Sequence, residues 1–401
     1  MKNQIRPTLQ HILLAGYEAF ERTHPLPGYV RRAARAIINC RTEAMGGHIE
    51  ICPKGDFERT FFHSCRHRSC PKCSYMQIEQ WLTNKKELML RCTHYHAIFT
   101  MPDSLNEVWL QNVKLMNDTF IRCAKDALFE LLKDRKYMGA TPGVVVDLQS
   151  WSQELLPHLH THFIITGGGL TDDARWVTPK KGCLLPRKVL MIKFRAKMRY
   201  SLIKLAQEGK LQLPPGISTQ KLINLLNKLG RKNWNVKILP PYDYADGVII
   251  YLGRYLKGCP MKKSRLISFN GEEVTFQCRG TKTQPKRKKL RLSINDFIQR
   301  LLLHIPVPGA QNVRSFGLYA NVCQKKLNQA RALIGQKALR KPKVLRWQDI
   351  IKRFTGKNPE RCPLCGNLLI RIPILVYAHS PPRYAMATQY MKMEPANEYA
   401  S

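Results

Sequence analysis

The 401-residue sequence predicts an α+β protein, and three observations carry that prediction. Amphipathic stretches of helical period alternate with short β-branched and aromatic runs that end at Pro, Gly or Asn-Gly. Two of those runs, GVVVDLQSW (143–151) and HLHTHFIITGG (158–168), lie close enough in sequence to pair antiparallel. Ahead of them, a cysteine-rich segment interrupts any regular period and has the spacing of a metal knuckle.

Taken in order, residues 8–22 and 28–40 carry helical periodicity. Residues 46–63 read as a hairpin, Cys65 to Cys73 as a knuckle, and about 74–90 as an amphipathic helix. THYHAIFTMP (93–102) is a β-rich run closed by Pro102, which has no N–H to give to a ladder. Residues 104–134 read as helix, and the two paired strands follow. Helices are expected at 187–207 and 218–229, and a strand at 234–239. ADGVIIYLGRYLKG (245–258) fits a helix that stops at Gly258. RLISF and EEVTFQC flank Asn270-Gly271 as a hairpin. Residues 279–292 are basic and rich in turn formers. Helices at 293–304 and 319–336 precede CPLC (362–365), a short apolar strand and a polar tail expected to be disordered. There is no internal repeat.

Charge is the outlier in the composition. Sixty-six Lys and Arg against 28 Asp and Glu leave +38, a field that attracts polyanions, nucleic acid first and membrane surfaces second. No apolar run approaches the ~20 residues that span a bilayer, and the N-terminus has no small-residue cleavage site. The expectation is a bacterial cytoplasmic protein, nucleoid-associated and with no membrane partner. Thirteen cysteines, clustered beside His and Arg, point to metal binding in a reducing compartment rather than to disulfides.

Three constellations carry chemistry. Cys70-Pro-Lys-Cys73 presents two thiolates to one tetrahedral Zn2+. Cys65 and Cys52 are expected to complete a four-sulfur structural site, with Cys40, His48, His63 and His67 nearby as further donors. Arg66 and Arg68 add positive charge where DNA phosphate can dock. In the second constellation, His158, His160 and His162 share one strand face because residues two apart point the same way. A solvated face is the usual reading of a lone histidine, and three in alternation weigh against it. Two of them can hold a divalent cation if a third ligand comes from a neighbouring strand. In the third, Tyr251 and Tyr255 lie one helical turn apart, with Arg254 and Lys257 close by. A phenol is an effective nucleophile toward a phosphodiester when positive charge and a metal polarise the phosphate. Alone, such a pair is more often packing.

The order of these blocks resembles that of the rolling-circle HUH transposases of the insertion sequence ninety-one type, which use two tyrosines. The resemblance runs from about Cys40 to Cys365 through CRTEAMGGH (40–48), SCRHRSCPKC (64–73), YHAIFTMP (95–102), residues 148–170, YLGRYLKG (251–258) and LSINDFIQRLLLHIPVPG (292–309). It implies an HUH endonuclease domain with a central antiparallel sheet. It also implies an N-terminal zinc-binding domain and a helical, basic C-terminal region. Counting back from Ile-Ile-Thr-Gly-Gly-Gly, it places the family's histidine pair on His160 and His162. The family's upstream histidine falls on Gln149, whose amide oxygen suits Mg2+ or Mn2+. Asp147 and His96 are the alternative third ligands. The family's first Cys-x-x-Cys reads Cys52-Pro-Lys-Gly55 here, so one thiolate is absent. Cys362 and Cys365 form a second knuckle without an evident second pair, Cys323 and His379 being the nearest suggestions, and one zinc is expected rather than two.

The resemblance further implies nicking and rejoining of single-stranded DNA at element ends and target, through a 5′-phosphotyrosine on Tyr251 or Tyr255. Arg254, Lys257 and the run Lys286, Arg287, Lys288 and Lys289 are expected to meet DNA phosphates. Trp151 and Trp176 border the site, with core packing the expected role of each. The domains expected are a helical and zinc-binding segment over 1–92, a nuclease over 93–305 and a C-terminal region over 306–401. The nuclease carries a helical insertion at about 171–233 and the tyrosine helix at 245–258. The competing readings are a replication initiator or relaxase of the same chemistry, and a zinc-containing DNA-binding protein without catalysis.

Overall fold

The computed structural model describes residues 6–179, 183–242, 259–279, 287–339 and 346–374. Along the chain, helices α1 (Leu9–Thr23) and α2 (Gly28–Ile38) precede a hairpin of β1 (Gly47–Ile51) and β2 (Glu58–Phe62) and then α3 (Ser74–Leu88). Strand β3 (His94–Thr100) leads through α4 (Asn106–Gln111) and α5 (Val113–Lys133) into the long strands β4 (Thr141–Trp151) and β5 (Pro157–Leu170). After the short β6 (Trp176–Val177) come α6 (Arg187–Gln207), α7 (Thr219–Gly230) and β7 (Val236–Tyr242). Next are β8 (Leu266–Phe269), β9 (Glu273–Cys278), β10 (Lys288–Ser293) and α8 (Ile294–Leu302). The chain continues with β11 (Val313–Gly317), α9 (Gln324–Leu333), α10 (Trp347–Thr355) and β12 (Ile370–Ile374).

The structure is α+β with antiparallel sheets, as expected, and its elements depart from the sequence reading in identifiable places. The helix expected over 104–134 is broken at Asn112. That buried side chain donates to the carbonyls of Val108 (2.8 Å) and Gln212 (2.7 Å) and accepts from the Gln212 N–H (2.9 Å), holding its own backbone at φ −131°, ψ 36°. A side chain that saturates on backbone partners competes with the helix ladder. The end of the basic segment 279–292 is strand rather than turn: β10 pairs with β9 from Lys288↔Cys278 to Ser293↔Glu273. Strand β11 and helix α10 are additions to the expected elements. The helix expected over 245–258 lies outside the described residues.

The chain separates into two compact units. One gathers Met1–Gln80, Lys257–Ile305 and Lys343–Ser401; the other gathers Trp81–Leu256 and Pro306–Pro342. The two units interleave along the sequence because strand pairing and packing cross it. In the first unit, β12 adds to the edge of the β1–β2 hairpin, in register from Gly47↔Ile374 to Ile51↔Ile370. Helix α8 is capped by Ser293, whose oxygen accepts the Asp296 N–H at 3.1 Å. It packs on α1 where Gly16 has no side chain to keep Ile294 away.

The second unit is built on the sheet β11-β4-β5-β3-β7, with β6 on the end of β5. Alternation divides its residues between two faces. Ala97, Phe99, Val144, Val146, Leu148, Leu159, Phe163 and Ile165 bury one face in the main core, with side chains of α5, α6 and α7. Val145, Ile164 and Leu170 lie in a smaller cluster with Leu318, Tyr319, Leu327 and Ala330. The glycine triplet after the histidines has a packing reason. A Cβ on Gly168 would meet the Trp176 indole at 2.4 Å, and one on Gly167 would meet Thr93 at 2.9 Å.

Candidate active site and cysteine cluster

Register brings the sequence-predicted ligands together. Strands β4 and β5 pair with Asp147 opposite His162 and Gln149 opposite His160, and directly opposed residues point to the same face. On the other side of β5, His162 faces Ile98 and His160 faces Thr100 of β3, with His96 two residues back on that face. The face is interior for most of these groups: His96 and Asp147 are fully buried, Gln149 and His162 nearly so.

Each candidate donor is held by a neighbour. The His160 Nδ1–H donates to the His158 carbonyl at 2.9 Å, which places the imidazole lone pair on Nε2. His162 Nδ1 and His96 Nε2 are 2.8 Å apart, so one must donate to the other. The Gln149 amide nitrogen donates to Asp147 Oδ2 at 3.1 Å, which fixes the direction of its oxygen. Ligands oriented by a second hydrogen bond are the usual construction of a metal site. Burial pushes His96 and His160 down to about 4. His162 falls to about 2, through burial first and then the proximity of His160 and His96. The rings are therefore neutral at pH 7, the form that can bind a cation. His160 and His162 offer imidazole nitrogens and Gln149 an amide oxygen on the same sheet face, with His96 and Asp147 beside them.

His158, the third histidine of the strand, has its ring centroid 5.1 Å from that of His160 and approaches Asp103 Oδ1 at 3.3 Å. Trp176 packs against the smaller core cluster, and Trp151 is half-buried at the end of β4. Sequence reasoning overlooked Tyr319 and His94. The Tyr319 hydroxyl accepts the Leu90 N–H and lies 3.0 Å from His94 Nε2, and its ring fills the space left by Gly143. Tyr251, Tyr255, Arg254, Lys257 and Lys286 lie outside the described residues. Arg66, Arg68, Arg287, Lys288 and Lys289 are all exposed.

The cysteine cluster corrects one expected ligand. Cys65, Cys70 and Cys73 gather with Cys40, not with Cys52. Cys73 Sγ is 3.4 Å from Cys40 Sγ and 3.6 Å from Cys65 Sγ, and Cys70 Sγ is 3.8 Å from Cys40 Sγ. Four thiolates around one Zn2+ at ~2.3 Å stand roughly 3.8 Å apart, so the spacing fits. Cys65 is pushed up by its thiol neighbours Cys70 and Cys73, whereas Cys73 is pushed down because Cys65 and Cys70 hydrogen-bond to it.

The reason Cys52 is elsewhere is the hairpin itself. Pairing from Gly47↔Phe62 to Ile51↔Glu58 puts Cys52 at its turn and Cys65 beyond its open end, about 17 Å of strand away at ~3.4 Å per residue. Cys40 reaches the open end from α2. Gln10 of α1 donates to the carbonyls of Ile38 (2.6 Å) and Cys40 (3.0 Å), and the Arg41 N–H donates to the His63 carbonyl. Cys52 lies instead with Asp56, Cys362 and Cys365. Cys323 belongs to the second unit, and His379 lies outside the described residues.

Parts of the chain match known protein families, and most of its length resembles curated proteins. Residues 12–101 match the family model described as a transposase zinc-binding domain, of the IS91 type. Residues 143–326, which include Gln149, His160, His162, Tyr251 and Tyr255, match the model described as a putative transposase. Among curated proteins, the chain is 31% identical over 379 residues to the putative transposase y4qJ of Sinorhizobium fredii, covering 91% of this chain and 95% of that one. It is 28% identical over 343 residues to the transposase for insertion sequence element IS801 of Pseudomonas savastanoi pv. phaseolicola, covering 83% of this chain and 81% of the other. No helix among the described residues is long and apolar enough to cross a membrane.

Proposed function

The chain belongs to the IS91-type family of transposases, with that family's zinc-binding domain, and on that premise we propose that it nicks and rejoins single-stranded DNA at element ends through a tyrosine-linked intermediate. The observation that carries the reading is the juxtaposition of Gln149, His160 and His162 on two adjacent strands, each oriented by a second hydrogen bond. In this reading Gln149, His160 and His162 would hold Mg2+ or Mn2+. His96 and Asp147 orient them. When bound, such an ion polarises the scissile phosphate.

The chain's own residues do the rest. Tyr251 or Tyr255 attacks phosphorus in line, releasing a 3′-hydroxyl and leaving a 5′-phosphotyrosine. The phosphodiester's free energy is retained in that bond, so rejoining needs no nucleotide hydrolysis. The second tyrosine provides a second acceptor for strand transfer. Arg254, Lys257, Arg66, Arg68 and the run from Lys286 to Lys289 supply the positive charge that a DNA backbone requires. The Cys40, Cys65, Cys70 and Cys73 cluster would hold a structural Zn2+.

The test is a denaturation-resistant adduct between the protein and a labelled single-stranded end in Mg2+ or Mn2+. Tyr251→Phe and Tyr255→Phe assign the nucleophile, and loss of the adduct in both single variants means that both are needed for the first cut. No adduct with the native protein under either ion refutes the nuclease reading in favour of DNA binding alone.

A further inference from the structure

We propose that Cys52, Asp56, Cys362 and Cys365 form a second zinc site, with three sulfurs and one carboxylate oxygen, that clasps the N-terminal hairpin to the C-terminal knuckle. The zinc-binding family match ends at residue 101, so it assigns no role to Cys362 or Cys365. One ligand atom from each of the four residues falls within 4.8 Å of all the others. Cys52 Sγ and Cys365 Sγ are 3.3 Å apart, and Cys362 Sγ is 3.6 Å from Asp56 Oδ1. The sulfur–oxygen distance matches the roughly 3.5 Å edge of a tetrahedron around one Zn2+, and the sulfur–sulfur distance is about 0.5 Å shorter than the ~3.8 Å edge between thiolates.

Two loops of the same span present the four donors. The Cys52 N–H donates to the Phe57 carbonyl and the Cys362 N–H to the Asn367 carbonyl, each at 2.8 Å. Each loop turns on a left-handed glycine, Gly55 at φ +75° and Gly366 at φ +77°, a conformation that glycine adopts without strain. The order of glycine and donor is reversed between them: Gly55-Asp56 in the first, Cys365-Gly366 in the second. The donor of the first loop thus comes one residue later, and the extra bond in the Asp side chain gives its oxygen a longer reach than a Cys sulfur would have. The Leu364 N–H donates to Cys362 Sγ at 3.4 Å, which favours the thiolate.

The rest of the unit brings the loops to one place. Strand β1 ends at Ile51, directly before Cys52, and Ile51 pairs with Ile370 at the start of β12. Between them, Glu50 is buried and accepts from Arg59 Nε at 2.7 Å and Arg371 Nε at 3.0 Å. Arg59 also donates to the Pro359 carbonyl at 3.0 Å. A metal here joins residues 313 apart in sequence, Cys52 and Cys365, and so removes a large loop-closure entropy from docking the C-terminal segment. One carboxylate in place of a thiolate makes this the weaker of the two cysteine clusters for Zn2+, a metal that takes sulfur ligands readily. It is the one that empties first.

The test is metal content and release in the full chain, by native mass spectrometry and a chromogenic chelator. The native protein should hold two Zn2+, and Cys365→Ser one. One equivalent should leave at least about tenfold faster than the other. Amide protection in β12 should be lost with that equivalent, while the segment around Cys40 stays protected. Asp56→Ala should speed release of the fast equivalent by about tenfold, and Asp56→Cys should slow it. A native count of one that Cys365→Ser leaves unchanged overturns the site. A release rate unaffected by Asp56→Ala overturns the carboxylate as a ligand, and that variant serves if Cys365→Ser does not fold.

Discussion

Replacing Gln149 by Ala tests the proposed metal site at its least conventional member. In the structure the amide is buried opposite His160 and donates to Asp147 Oδ2 at 3.1 Å. Truncation takes away one donor of three and leaves the buried Asp147 carboxylate without that hydrogen bond. Loss of an orienting group alone weakens metal binding about 10–100-fold. Removal of a direct ligand should therefore lie at or beyond the upper end, roughly 100-fold, or about 2.8 kcal/mol at 1.4 kcal/mol per decade. Losing the hydrogen bond to a charged group should lower folding stability by about 1.5–3 kcal/mol, so urea midpoints must be measured beside it. The assay is the Mn2+ dependence of single-strand nicking, paired with electron paramagnetic resonance of bound Mn2+, which reads affinity without catalysis. Asp147→Asn should fall between the native protein and Gln149→Ala. An unchanged Mn2+ midpoint in Gln149→Ala, with the fold intact, would refute the assignment and return the third position to Asp147 or His96.

Acid should loosen the second unit when no divalent ion is added. His94, His96 and His160 are held near 4 and His162 near 2, burial being the largest cause in each. The unfolded chain takes up these protons near pH 6.5 and the folded one only below about 4. Stability is therefore retained above pH 6.5 and lost as pH falls toward 4, each histidine contributing up to about 1.4 kcal/mol per pH unit. Hydrogen-exchange protection of β3 and β5, corrected for intrinsic rates, should fall across that window, and a flat profile contradicts it. Gly168→Ala should destabilise by about 1–3 kcal/mol because its Cβ meets the Trp176 ring at 2.4 Å; a denaturant midpoint equal to the native one removes the packing reason for the glycine. DNA affinity should fall steeply with salt, and alanine at Arg287, Lys288 and Lys289 should reduce that slope by about one for each phosphate left unneutralised. A slope unaltered in the triple variant places the DNA elsewhere.

Much of the second unit is legible in the sequence because its signals are local. A period of two puts the histidines on one face, and the pairing of 143–151 with 158–168 needs only their proximity in sequence and a short connection. The family resemblance, counted back from the glycine triplet, implies His160 and His162, and the fold gives the triplet a packing role of its own. From sequence, His96 and Asp147 stand as competing third ligands. Only register shows that Asp147 lies opposite His162, and only the fold brings His96 within 2.8 Å of that histidine.

The cysteines show where local reading stops. Residue types and the Cys-x-x-Cys spacing by themselves point to metal binding through thiolates near the N-terminus, because two ligands three residues apart are already close. Which further thiolates join them is a question of distance in space. A five-residue hairpin separates Cys52 from Cys65 by its own length, α2 brings Cys40 into the gap, and β12 brings Cys362 and Cys365 back from the far end of the chain to Cys52 and Asp56. Sequence spacing fixes ligands that share a turn. Ligands on different strands and helices are matched only once backbone pairing has set the register, and that pairing is decided by the tertiary structure.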